Sequence, residues 1–126
     1  MRHHTSFQIG GPADALVFPE TKFELASLIR KAVEFSVSWV VIGGGTNLLV
    51  KDEGIRGIVI TTVQQKYGLV MTSVDRTTTH IRATAGTKLS TLCRLACDNG
   101  LEGMSFALGI PGTIGGAIIM NAGTQR

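Results

Sequence analysis

Two glycine clusters stand where backbone N–H groups could hold a phosphate. The first, Gly43-Gly44-Gly45-Thr46-Asn47, follows directly on the apolar run Trp39-Val40-Val41-Ile42. Successive N–H groups in such a loop can form a concavity that binds phosphate oxygens without a lysine. The Thr46 hydroxyl and the Asn47 amide can add donors. No Gly-Lys-Ser/Thr follows, so this is not a Walker loop, and the spacing is not the Gly-x-Gly-x-x-Gly of a dinucleotide fold. Taken alone, the string reads equally well as a plain tight turn. The second cluster is Gly109-Ile110-Pro111-Gly112-Thr113-Ile114-Gly115-Gly116. Pro111 suits the first turn of a helix. Gly112, Gly115 and Gly116 would then lie near one face with no side chain in a ligand's way. Exposed N–H groups at that helix start would favour a pyrophosphate. The competing explanation is close helix packing through Gly112 and Gly116. Two such loops in one small chain favour a diphosphate ligand more than either does singly. Asn121-Ala122-Gly123 follows Ile118-Ile119-Met120. Asn121 could bond a ligand, although capping a helix end is what its position favours.

Other chemistry has little support. His3, His4 and His80 lack Cys, Asp or Glu partners at metal-ligand spacing, so no metal site is assigned. His3 and His4 are expected at a mobile terminus and His80 on a strand surface. No nucleophile elbow is present. Asp52-Glu53 before Gly54 reads as a solvated turn. Trp39 and Phe106 read as core residues. Cys93 and Cys97 are four apart in a helical pattern, a poor geometry for a disulfide. Both are expected in or near the core, in a reducing compartment.

The elements that must position the loops follow from composition and periodicity. The chain has 126 residues, of which 16 are glycine, nearly twice the roughly 7% of an average protein. It is 44% hydrophobic with three prolines, which excludes a disordered Pro/Gly composition. A chain this long can bury about two-thirds of its surface. Twelve Lys and Arg against nine Asp and Glu give a net charge of +3, scattered rather than striped. That argues against nucleic acid and still suits a small anionic ligand. There is no signal-peptide pattern. Gly103 to Gln125 carries no charge and is long enough to span a bilayer, but its glycines and Pro111 favour a buried binding segment instead.

Ala15 to Phe18 reads as a strand. Thr21-Lys22-Phe23-Glu24 is a capping box, with Glu24 reaching back to Thr21. Leu25, Leu28, Ile29 and Ala32 then mark a helix to about Phe35. Trp39 to Ile42 reads as a strand buried on both faces, and Gly57 to Thr61 as another. This is the grammar of a small parallel α/β unit. Leu69 to Val74 and Thr79 to Thr84, turning at Asp75-Arg76, suggest an antiparallel hairpin. Thr87 could cap a second helix carrying Leu89, Leu92, Cys93 and Ala96 on one face, closed by Asn99-Gly100. A break near Gln64 to Gly68 divides the chain into subdomains 1–63 and 64–126.

Three ordered blocks carry a resemblance. His4-Thr5-Ser6-Phe7-Gln8-Ile9-Gly10-Gly11-Pro12-Ala13-Asp14 is the first. Gly43 to Val50, with Asp52, Gly54 and Gly57-Ile58-Val59-Ile60, is the second. Gly100-Leu101-Glu102-Gly103 and Gly109 to Ala117, with Met120-Asn121-Ala122-Gly123, make the third. Together they resemble the UDP-N-acetylenolpyruvoylglucosamine reductases, flavoenzymes of peptidoglycan precursor synthesis. The resemblance runs from about His4 to Gly123. It implies an α+β, p-cresol-methylhydroxylase-type FAD-binding fold of two subdomains with FAD between them. It implies that Gly43, Gly44, Gly45, Thr46 and Asn47 hold the pyrophosphate. Ile110, Pro111, Gly112, Thr113, Gly115, Gly116, Asn121 and Gly123 would line the rest of the FAD site. The implied reaction passes a hydride from NADPH to FAD and then to the enolpyruvyl double bond of a UDP-sugar, yielding UDP-N-acetylmuramate. The implied location is cytoplasmic.

The resemblance also sets a limit. In the family, the third block continues into an aromatic-glycine-acidic stretch, whereas here Thr124-Gln125-Arg126 follow. The family's substrate domain and its catalytic serine, arginine and glutamate would fall beyond Arg126, so no catalytic residue is assigned. The chain reads as a truncated N-terminal portion, expected to bind FAD without catalysing. Two alternatives stand beside it. One is another FAD oxidoreductase of the same fold, in which a histidine near the glycine loop often attaches the flavin covalently; Thr46-Asn47 occupy that region here. The other is a non-catalytic binding remnant. Oligomeric state is left open.

Overall fold

The computed structural model describes residues 1–63, 68–73, 75 and 77–124. Strands β1 (Ala13–Val17), β2 (Trp39–Ile42) and β3 (Ile55–Thr61) form a parallel sheet in the order β1-β3-β2. A parallel link needs a crossover, and helix α1 (Lys22–Glu34) supplies it between β1 and β2. Its inward stripe is the expected one, with Leu25, Leu28 and Ile29 half-buried and Ala32 buried. The Thr21 hydroxyl accepts from the Glu24 N–H at 3.1 Å. The Glu24 carboxylate closes this box one residue earlier than expected, on the Glu20 N–H at 2.8 Å rather than on Thr21.

The expectation that β2 is buried on both faces is overturned. Trp39, Val40 and Val41 are 42%, 38% and 41% exposed, because β2 is an edge strand. Central β3 takes the burial, with Val59 and Ile60 fully enclosed. An apolar run signals a strand without saying whether neighbours flank it. The β1–β3 register slips by one between the pairs Ala13↔Ile55 and Ala15↔Ile58. Gly57, at φ +92°, absorbs the extra residue as a bulge. The Asp14 carboxylate braces it, accepting the Gly57 N–H at 2.8 Å and pairing with Arg56. The Gly57 N–H, and then the Arg56 guanidinium, hold the Asp14 carboxyl below the usual carboxylate range.

After residue 67 come the antiparallel strands β4 (Leu69–Ser73) and β5 (Thr79–Ala83), paired from Leu69↔Ala83 to Ser73↔Thr79. In the turn, the Asp75 carboxylate accepts from the Thr77 and Thr78 N–H groups at 2.7 Å, which lowers its pKa. Val74 and Arg76, expected in the hairpin, lie outside the described residues, as do residues 64–67 of the expected subdomain break. Helix α2 (Leu89–Asp98) buries Leu89, Cys93 and Ala96, with Leu92 partly buried against them. Thr87 does not cap it. Lys88 holds the cap position because its backbone bridges Thr113, and the Thr87 hydroxyl instead lies 2.9 Å from that of Thr84. Both cysteines are free, but Cys97 is exposed rather than core. A helix of 3.6 residues per turn drifts off the seam at each four-residue step.

Helix α3 (Ile114–Ile119) is short, and among the described residues no helix is long and apolar enough to cross a membrane. The uncharged stretch from Gly103 is not buried throughout, since Ile118 and Ile119 are largely exposed. Phe106, expected in the core like Trp39, is also half-exposed. Helices α1, α2 and α3 end alike. A left-handed residue (Ser36, Gly100 or Asn121) follows each cap. The next N–H then reaches five residues back, from Val37 to Ala32, Leu101 to Ala96 and Ala122 to Ala117, each at 2.8 Å.

Two predictions follow from these contacts. The lowered Asp14 pKa gives stability that is present above the unfolded value of about 3.9 and lost as pH falls through the folded value. In Asp14→Asn, urea midpoints between pH 7 and pH 3 should therefore fall less steeply with acid than in wild type. Ser36→Gly should raise stability by about 1 kcal/mol by removing a side chain from the left-handed region, read as a higher Tm.

Candidate functional site

The carboxyl ends of the three parallel strands converge, the usual place for a ligand in an open parallel sheet. β2 runs into Gly43-Gly44, β3 into Thr61 and Val63, and β1 into Phe18. There an open cleft of about 240 Å³ is lined by Gly43, Gly44, Thr61, Val63 and the segment His3 to Ser6. Among the described residues, no acidic side chain lines it. The bulge braced by Asp14 lies at the opposite, amino end of the sheet. The structural brace and the cleft are therefore separated by the length of the strands.

The two glycine loops, far apart in sequence, meet beside this cleft, at Gly43. The Thr46 hydroxyl donates to the Pro111 carbonyl at 3.3 Å. A Cβ placed on Gly43 would overlap the Thr113 hydroxyl oxygen. One on Gly112, whose φ is +125°, would stand 2.8 Å from Thr46 Oγ1. Both positions thus need glycine for the loops to touch. Gly44 differs: its nearest neighbours to an added Cβ are Gly112 Cα and Thr113 Cγ2 at 3.8 Å, and the residue is exposed. An alanine methyl there would sit in ordinary van der Waals contact with the second loop.

The second loop is built differently from its expected form. Pro111 and Gly112 precede the helix, and α3 begins after Thr113, whose buried hydroxyl caps it by accepting the Gly116 N–H at 3.3 Å. Gly112 therefore shares no helix face with Gly115 and Gly116. The N–H groups at the start of α3 are also already used. Ile114 donates to Thr87, Gly115 to Ala85 and Gly116 to Thr113. They fasten the second loop to the turn between β5 and α2 and are not open to a pyrophosphate.

The remaining site residues are spread around this junction. Gly45 is buried under the backbone of His4 and Thr5, and Asn47 is exposed in the turn beyond it. Ile110 packs against Leu89, Cys93 and Ala107. Asn121, at φ +46°, closes α3, and Gly123 lies beside Phe106. The sequence reading missed the lining by His3, His4, Ser6, Thr61 and Val63. His3 and His4 are not a loose terminus. The Ser6 N–H donates to the Gly45 carbonyl at 3.0 Å, and the His4 ring stands 5.9 Å from that of Phe18. The signal available in the sequence was β3 itself, whose carboxyl end had to lie beside that of β2.

Gly43 and Gly44 should respond oppositely to one added methyl. Gly43→Ala should cost about 1–3 kcal/mol by forcing the loops apart, whereas Gly44→Ala should stay within about 0.5 kcal/mol of wild type. Denaturant midpoints measure both.

Residues 13–126 match the family model described as FAD binding domain. The chain is 50% identical over 127 residues to the UDP-N-acetylenolpyruvoylglucosamine reductase of Desulfosudis oleivorans, covering 100% of this chain and 40% of that protein. The reductase of Desulforamulus reducens is 47% identical over 126 residues, with the same coverage. Among solved structures, the UDP-N-acetylenolpyruvylglucosamine reductase of Thermus caldophilus superposes with a TM-score of 0.73 at 37% identity. That match covers 98% of this chain and 41% of that one. The chain thus spans about 40% of the length of the curated relatives it matches. The parallel sheet, the hairpin and the two apposed glycine loops are an α+β FAD-binding fold, and the chain belongs to the FAD binding domain family.

Proposed function

We propose that this chain is the FAD-binding portion of a UDP-N-acetylenolpyruvoylglucosamine reductase, and that it holds the FAD diphosphate at the cleft where the two glycine loops meet. The observation that carries this reading is the exposed Gly44 lining the cleft, beside a junction that admits no side chain at Gly43. A branched side chain at Gly44 would crowd the lip of the cleft between the two loops, where Gly112 and Thr113 already lie 3.8 Å from an added Cβ. Among the described residues, the lining offers backbone and polar groups with no carboxylate to repel an anion. The residues present therefore fit a diphosphate.

Gly43, Gly44, Gly45, Thr46 and Asn47 form the diphosphate wall in this reading. Pro111, Gly112 and Thr113 fix that wall from the other side, and Ile110, Gly115 and Gly116 hold the second loop in place. Asn121 and Gly123, past the far end of α3, line a more distant part of the cofactor. Subdomains 1–63 and 64–126 each contribute one glycine loop. Bound FAD supplies the hydride chemistry, while these residues bind and orient it. NADPH is the reductant and UDP-N-acetylenolpyruvoylglucosamine the substrate, reduced to UDP-N-acetylmuramate in the cytoplasm for peptidoglycan synthesis. The catalytic groups belong to the part of the relatives that this chain does not span.

The purified chain, mixed with FAD and desalted, should retain flavin absorbance. Gly44→Val should lose it while keeping the wild-type circular dichroism spectrum. Gly112→Val is a poorer test, because its side chain would also strike Thr46. A folded wild-type chain that retains no flavin would overturn the proposal.

A further inference from the structure

We infer that His3, His4 and Ser6 form a second wall of the diphosphate site and add their side-chain donors to those of the glycine loop; this rests on the FAD reading above. The segment is held over the first loop at fixed points. The Ser6 N–H donates to the Gly45 carbonyl, and the backbone of His4 and Thr5 packs onto Gly45, where no Cβ fits. The Thr5 hydroxyl donates to the Ile9 carbonyl at 3.3 Å, so that buried side chain is used within the segment. His3, His4 and Ser6 are exposed and line the same cleft as Gly43 and Gly44. The His4 ring is steadied by Phe18 at the end of β1.

Charge points the same way. The Arg2 Nε donates to His3 Nε2 at 3.1 Å, which brings a guanidinium to the rim of a cleft with no acidic lining. With Nε2 accepting, the Nδ1–H of His3 is left as a donor. Two imidazoles, a hydroxyl and a nearby guanidinium facing an open glycine backbone make a surface suited to an oxyanion. A glycine loop binds phosphate through N–H groups alone. The opposing wall lets the site grip the same diphosphate from two sides.

Fluorescence titration of the whole chain with FAD tests this, using wild type, the double variant His3→Ala/His4→Ala and the double variant His3→Ala/Ser6→Ala. The second variant keeps the His4–Phe18 contact, so a folding defect in the first leaves the inference testable. Both should bind FAD at least about tenfold more weakly than wild type at low salt, a loss of about 1.4 kcal/mol. Wild-type binding with undiminished affinity in the correctly folded variants would overturn this inference alone. A folded wild-type chain that binds no FAD would overturn the FAD reading and this inference with it.

Discussion

The site depends on one close approach. The loop after β2 and the loop before α3 touch where Gly43 meets Thr113 and Gly112 meets Thr46. Atoms there are near enough that one methyl group at either glycine would part the loops. The contact is made of backbone, one buried hydroxyl and one hydrogen bond, so side-chain packing contributes little to it. Thr113 is the hub. Its hydroxyl caps α3 and abuts Gly43, and its backbone bridges Lys88 at the start of α2. A single residue thereby ties the parallel sheet to both helices of the second half.

Stability and binding are set at opposite ends of the parallel sheet. At the amino end, Asp14 spans the β1–β3 mismatch and gives the Gly57 bulge a charged acceptor. At the carboxyl end, β2 runs into Gly43 and Gly44, which line the cleft. A bulge shortens one strand relative to its neighbour and increases local twist. The bulge therefore helps decide which residues of β3 reach the cleft beside Gly43. The second half contributes little to the sheet. It supplies a separate small core of Leu89, Cys93 and Ala107, against which Ile110 is seated so that Pro111 and Gly112 arrive at the right height.

Much of this was legible in the sequence. The helical stripe of α1, the three strands, the hairpin and the α2 face all follow from period and caps. The ordered blocks carried the FAD fold. What periodicity could not supply was neighbourhood. Trp39 to Ile42 has the composition of a buried strand, but edge position is a property of the sheet order, so three of its residues are exposed. Thr87 has a capping side chain, but a tertiary bridge at Lys88 moved the helix start. Pro111 suits a helix entrance, yet Gly112 at φ +125° turns the chain before the helix begins. The expected pyrophosphate donors at the head of α3 were lost for the same reason, since that helix is anchored through them. His3 and His4 carried no local signal, and only the fold brings them over the glycine loop.

Amide hydrogen exchange with and without FAD tests the placement of the cofactor most directly. The expected result is FAD-dependent protection at Gly44 and its neighbours in the first loop, with little change at the Asp14–Gly57 bulge. FAD binding that leaves Gly44 unprotected and instead protects residues around the exposed Cys97 of α2 would contradict the assignment of the diphosphate to the junction of the two glycine loops.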